Sequence, residues 1–269
     1  MSDVFSAAHR GGSGSPLVCL HGFTDTWRTW DLVLPALERE HDVLAPTLAG
    51  HAGGPPLGRP ASVSVLTDAL EAAMDEAGFE TAHLVGNSLG GHLALQLAAR
   101  GRARTVVALA PAGGWAAGDP AATRMEHFTR MRVLLEGAAP HADAIVAAPG
   151  GARRASADIT TNYEHIPLDL LAHQLRGVVG CTGLDALVAG AARDGWGLDA
   201  AAIACPVRIV WGTDDRLLPW PTAAMRYRED WLPNADWVEL EGVGHCPQLD
   251  VPLETAQLIL GFTADRRAR

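Results

Sequence analysis

The chain contains no lysine: all 21 of its basic residues are arginine, and they stand against 31 carboxylates for a formal charge of −10 over 269 residues. Such a balance lacks the basic surface a polyanion requires, so nucleic acid is not an expected partner. Cysteine is also scarce. Cys19, Cys181, Cys205 and Cys246 have neither metal-ligand spacing nor the density of a disulfide framework, which leaves no metal expected and favours a reducing compartment. No apolar run is long enough to span a bilayer, and the polar, glycine-rich start Met1–Gly14 carries no basic-then-apolar leader. The expectation is a cytoplasmic protein without membrane attachment. The closing Arg266-Arg267-Ala268-Arg269 is a short solvated tail.

What is abundant is glycine, at 29 residues, and apolar side chains, at 48%. Strand patterns fall at Val4–His9, Leu17–Leu20, Asp42–Pro46, Ala82–Val85, Thr105–Ala110, Val207–Trp211 and Trp237–Leu240, with helical patterns such as Trp27–Glu38 between most of them. Alternation of this kind predicts an α/β fold: a mainly parallel central sheet flanked by helices. Between Trp115 and Cys205 no strand pattern occurs. The expected organisation is a core of residues 1–115 and 196–269 with a helical insertion at 116–195.

One short segment stands out chemically. Gly86-Asn87-Ser88-Leu89-Gly90 follows the apolar strand pattern Ala82–Val85 and precedes the alanine-rich helical pattern up to Ala99. A serine at such a sharp bend is held in a strained conformation that lifts its hydroxyl clear, and bulky neighbours would strike the strand and helix. The first amides of the following helix then point toward any oxyanion formed beside the serine. Read without its surroundings, the segment is equally an ordinary tight turn with a serine N-cap.

Its surroundings supply partners. Val207–Trp211 runs into Asp214 and Asp215, and Asp236–Leu240 runs into Gly244-His245-Cys246-Pro247. Groups at the carboxyl ends of parallel strands converge on one edge of the sheet, where ligands bind in such folds. Of the 11 histidines, only His245 follows a late strand in a Gly-His-x-Pro setting. The order serine, aspartate, histidine along the chain is that of one triad type among several.

From about Leu17 to about Phe262 these features resemble the α/β-hydrolase superfamily, in particular its single-domain serine members with a helical cap. The resemblance implies a catalytic set of Ser88, Asp215 and His245. Its acid motif, Gly-x-x-Asp-x-x-x-Pro, fits Gly212 to Pro219 and selects Asp215, leaving Asp214 as a turn residue whose side chain bonds the local backbone. The His21-Gly22-Phe23 loop corresponds to the family's oxyanion loop, so the backbone amides of Phe23 and Leu89 become the expected donors, worth ~3 to 4 kcal/mol each in the transition state. His21 is expected to hold the loop. The stretch Leu48-Ala49-Gly50-His51-Ala52 departs from the family's Pro-Gly-His-Gly, which affects loop shape and not the triad.

The resemblance implies acyl transfer without a cofactor: cleavage of a small to medium apolar ester, lactone or thioester through an acyl-enzyme on Ser88. Carbon–carbon bond hydrolysis, acyl transfer to an alcohol or peroxide, and a ligand sensor with vestigial hydrolysis are the alternatives. Relatives that open epoxides or remove halogens use an aspartate at the elbow, where this chain has Ser88. Trp115, Met125, Phe128, Met131 and Trp220 are the candidates for pocket lining. The stripe Phe128, Met131, Leu134 and Leu135 also fits the insertion's own core.

Overall fold

The computed structural model describes residues 5–116 and 121–264, with the side chains of 121–125 outside the description. Seven strands form one sheet: β1 (Ala8–Gly12), β2 (Ser15–Leu20), β3 (His41–Pro46), β4 (Ala82–Asn87), β5 (Ala103–Leu109), β6 (Val207–Gly212) and β7 (Asp236–Leu240). Their spatial order is β1-β3-β2-β4-β5-β6-β7. Only β1 runs antiparallel, paired with β3; every other pairing is parallel. The chain therefore has the mainly parallel α/β sheet that its alternating pattern predicts.

Burial along the strands explains their sequences. In central β4 all six residues are buried, its His83 and Asn87 included, whereas β1 at the edge alternates exposed and half-buried positions. Within β2, Val18 and Leu20 enter the core on one face with Leu66, Leu70 and Leu93, while Leu17 and Cys19 enter the other with Trp30, Ile259 and Phe262.

The helices α1 (Leu34–Leu37), α2 (Val63–Glu76) and α3 (Leu89–Ala99) lie among the first strands. Between β5 and β6 every described element is helical: α4 (Ala121–Glu136), α5 (Ala142–Ala147), α6 (Gly151–Ser156), α7 (Leu168–Gly180) and α8 (Leu184–Asp194), with short 3₁₀ turns. After β7 come α9 (Pro247–Asp250) and α10 (Pro252–Ala264). A third apolar cluster joins Val146, Ile166, Leu170 and Leu171 of the insertion to Cys246 and Leu249, so the insertion rests on the loop that carries His245. No single helix among the described residues is long and apolar enough to cross a membrane; α7 and α8 pass that test only together, as a pair bent by 68°.

Two elements differ from the sequence reading. The first strand covers Ala8–Gly12 instead of Val4–His9, and Val4 lies outside the described residues. The amphipathic stretch Trp27–Glu38 is a 3₁₀ turn, Trp27–Trp30, followed by the single turn of α1. Pro35 accounts for the break, because it has no N–H to continue a ladder from the preceding turn.

Candidate active site

Ser88 sits at the end of β4 with φ 56° and ψ −117°, a left-handed backbone that costs a non-glycine residue ~1 to 3 kcal/mol. The turn is held from both sides: the Ser88 amide donates to Leu109 O at 2.9 Å, and its carbonyl accepts from Ala112 N at 3.0 Å and His92 N at 3.1 Å. A Cβ on Gly86 would lie 2.1 Å from Gly90 O, and one on Gly90 would lie 2.2 Å from Leu20 O. The glycines thus allow strand, loop and helix to approach to backbone contact around the serine.

The carboxylate and imidazole come from two neighbouring strand ends. His245 Nδ1 lies 2.7 Å from Asp215 Oδ2, and both residues are buried. The other oxygen, Asp215 Oδ1, accepts from Leu217 N at 2.9 Å and Leu218 N at 2.7 Å, so the carboxylate is fixed in rotation. It is therefore Asp215, not Asp214, that bonds the local backbone; Asp214 is exposed. With Nδ1 donating to a carboxylate, the opposite nitrogen is left as an acceptor. His245 Nε2 is buried and has no hydrogen-bond partner among the described residues.

The histidine loop is clasped by two side chains to which the sequence reading gave no role. Asn87, next to the serine, donates to His245 O at 2.9 Å and accepts from Gln248 Nε2 at 3.2 Å and Cys246 Sγ at 3.3 Å. Asp250 accepts from Gly244 N at 2.5 Å, immediately before His245, and from Asn162 N at 2.6 Å and Thr161 N at 3.0 Å in the insertion. Burial pushes the Cys246 thiol well above its ordinary range, which keeps it protonated beside the imidazole.

The amides of Phe23 and Leu89 donate no hydrogen bond among the described residues. The loop carrying Phe23 is pinned by His21, whose Nδ1 lies 2.7 Å from Gly22 O and whose Nε2 accepts from Leu48 N at 2.9 Å. That pairing makes Nδ1 the protonated nitrogen. Burial, and then the nearby His51, hold the ring neutral by driving its pKa well below the usual value.

Two chambers border Ser88. One is walled by Val63, Leu66, Trp115, Leu187 and Trp196, the other by Thr24, Asp25, Gln174, Met131 and His245. Ser88, Phe23, Phe128 and Leu217 border both. No cluster of three or more His, Cys, Asp or Glu able to hold a metal occurs among the described residues.

Comparison with known proteins agrees with this fold. The model of the alpha/beta hydrolase family matches residues 17–258. The chain belongs to the α/β-hydrolase family. The epoxide hydrolase EphH of Mycobacterium tuberculosis strain H37Rv is 32% identical over 208 residues, 75% of this chain and 94% of that protein. A 2-hydroxymuconate semialdehyde hydrolase of Pseudomonas sp. strain CF600 is 26% identical, spanning 97% of this chain and 90% of its own. Among solved structures, the enol-lactonase of Burkholderia xenovorans LB400 superposes with a TM-score of 0.72 at 21% identity, covering 96% of this chain and 95% of that one, a likeness of fold.

In this α/β-hydrolase the expected lining residues divide. Trp115 borders the first chamber, Met131 the second and Phe128 both. Trp220 borders neither: its ring lies between Trp211 at 6.0 Å and Trp237 at 6.1 Å, with the Arg228 guanidinium 4.8 Å away. Its place after β6 brings it to the flank of the sheet, where aromatic packing claims it. Met125 lies outside the residues whose side chains are described. Of the helical stripe, Leu135 borders the second chamber and Leu134 is exposed. Trp196, in the loop after α8, and Gln174, in α7, also line the site; a single aromatic or polar residue in such a segment carries no local signal for it.

Proposed function

We propose that this hydrolase is a serine acyl hydrolase, cleaving small to medium apolar esters, lactones or thioesters through an acyl-enzyme on Ser88. The observation that carries the reading is the 2.7 Å contact of His245 Nδ1 with Asp215 Oδ2, with Nε2 left unpartnered on the wall of a chamber that Ser88 also borders. His245 Nε2 takes the Ser88 proton as the hydroxyl attacks the acyl carbon. Asp215 holds the tautomer and stabilises the imidazolium. The Phe23 and Leu89 amides receive the oxyanion, and His245 then protonates the leaving group. Water, activated by the same ring, attacks the acyl carbon and releases the acid. Helices α4 to α8 act as the lid that keeps the chambers dry.

The named activity of the epoxide-hydrolase relative fits this elbow less well. Attack of a serine oxygen on an epoxide carbon would form an ether, which has no carbonyl for water to attack. An acyl carbon gives an ester, which the same imidazole can hydrolyse.

The test is a panel of 4-nitrophenyl esters, lactones and thioesters with wild type and Ser88→Ala. Turnover should fall about a million-fold in the variant. Near-normal activity of pure, folded Ser88→Ala would end the serine mechanism.

A further inference from the structure

The two chambers at Ser88 differ in chemistry. In the first, the side-chain hydroxyl other than Ser88 belongs to Ser62, which already caps α2 by accepting from Val65 N at 3.1 Å. The second carries Thr24, Asp25, Gln174, His127 and Asp158. His245 borders only this second chamber. On the serine-hydrolase reading, the leaving group must receive its proton from His245, so it occupies the second chamber and the acyl group the first.

The wall facing that leaving group presents acceptors. Asp25 Oδ1 accepts from Thr26 N at 2.8 Å, and Asp25 Oδ2 accepts from Gln174 Nε2 at 3.1 Å. A carboxylate only accepts, so it fixes the orientation of the Gln174 amide and leaves Gln174 Oε1 as an acceptor. That oxygen is buried without a hydrogen-bond partner, on a residue 9% exposed. Native structures rarely leave such an atom unpaired, and a ligand is one of the groups that can pair it. Beside it, Thr24 is held at φ 64°, a left-handed conformation seldom adopted by a β-branched residue and characteristic of ligand-contacting walls.

We infer that Gln174 and Asp25 form a subsite for a hydroxyl carried by the leaving alcohol, so that the substrate is an apolar acyl ester of a small diol or polyol. The second hydroxyl donates to Gln174 Oε1 while the ester oxygen beside Ser88 takes the proton of His245. This rests on the serine-hydrolase reading and deepens it.

The test compares 2-hydroxyethyl butanoate with its near-isostere propyl butanoate, alongside 4-nitrophenyl butanoate. Wild type should favour the hydroxyethyl ester by about tenfold in kcat/KM, the scale of one buried hydrogen bond. In Gln174→Met, which keeps the volume and removes the acceptor, that preference should fall to within about twofold. Equal rates for the two alkyl esters in wild type overturn the inference whether or not the variant folds, as does a preference that survives Gln174→Met. Cleavage of 4-nitrophenyl butanoate that depends on Ser88, without preference between the alkyl esters, leaves the serine mechanism standing and removes the subsite. If no ester is cleaved in a Ser88-dependent way, the mechanism fails and the subsite with it.

Discussion

Replacing Asp215 by asparagine probes the proposed mechanism through one hydrogen bond. Leu217 N and Leu218 N both donate to Asp215 Oδ1, at 2.9 and 2.7 Å, so the asparagine carbonyl must take that side. Its NH₂ then faces His245 Nδ1, which in the wild type lies 2.7 Å from Oδ2. An NH₂ cannot accept, so the imidazole flips its tautomer and carries its proton on Nε2, where it cannot deprotonate Ser88. Loss of the correct tautomer costs about ten-thousand-fold in turnover, or ~5 kcal/mol of transition-state stabilisation. The fold should hardly notice, because both backbone amides keep their acceptor. Asp214→Asn is the internal control, since Asp214 is exposed and should change turnover by less than about threefold. The assay is steady-state hydrolysis of 4-nitrophenyl butanoate with urea unfolding of each variant. Turnover of Asp215→Asn within tenfold of wild type, or greater damage from Asp214→Asn at equal stability, would refute the reasoning.

Asp250→Asn turns an NH₂ toward backbone donors from Gly244, Thr161 or Asn162 whichever way the amide rotates, and should lower unfolding stability by ~2 to 4 kcal/mol in urea titrations. Phe128 touches Phe23 edge-on at 4.9 Å and borders both chambers; Phe128→Ala should raise the octanoate-to-acetate ratio of kcat/KM roughly tenfold, since each newly housed methylene contributes ~0.8 kcal/mol. A chain-length profile identical to wild type would place Phe128 outside the acyl path. His51 and His92 are held neutral by burial, with pKa values lowered to about 4 from 6.5. The unfolded chain therefore binds more protons as pH falls below about 6.5, and stability drops toward pH 4 by about 2 kcal/mol per histidine by pH 5. Denaturation midpoints at pH 7 and pH 5 measure this; His21, also held neutral by burial, adds to the same loss, and His92→Gln should remove about 2 kcal/mol of it.

The strands were legible because their signals are local; the glycine-bracketed serine, equally a tight turn when taken alone, became legible only with the aspartate and histidine that follow two later strands. The parallel sheet then follows from alternation. Contacts between distant segments were not legible. Asn87 and His245 meet across 158 residues, and Gln174 and Asp25 across 149, and nothing in either local sequence announces the partner. Trp220 illustrates the opposite error: an aromatic close to the acid loop suggested a pocket, but Trp211 and Trp237 supply the apolar surface that it covers. The break ahead of α1 was within reach, since Pro35 interrupts the amphipathic pattern that suggested one long helix.

Because a single carboxylate, Asp250, serves both the insertion and the histidine loop, the two cannot be exchanged independently in a chimera. An insertion transplanted from a relative would have to bring donors equivalent to Thr161 and Asn162; otherwise the buried Asp250 side chain would be held chiefly by Gly244, and His245 would shift with it. Loss of activity in such a hybrid would then look like a change of substrate preference when its origin was a misplaced base.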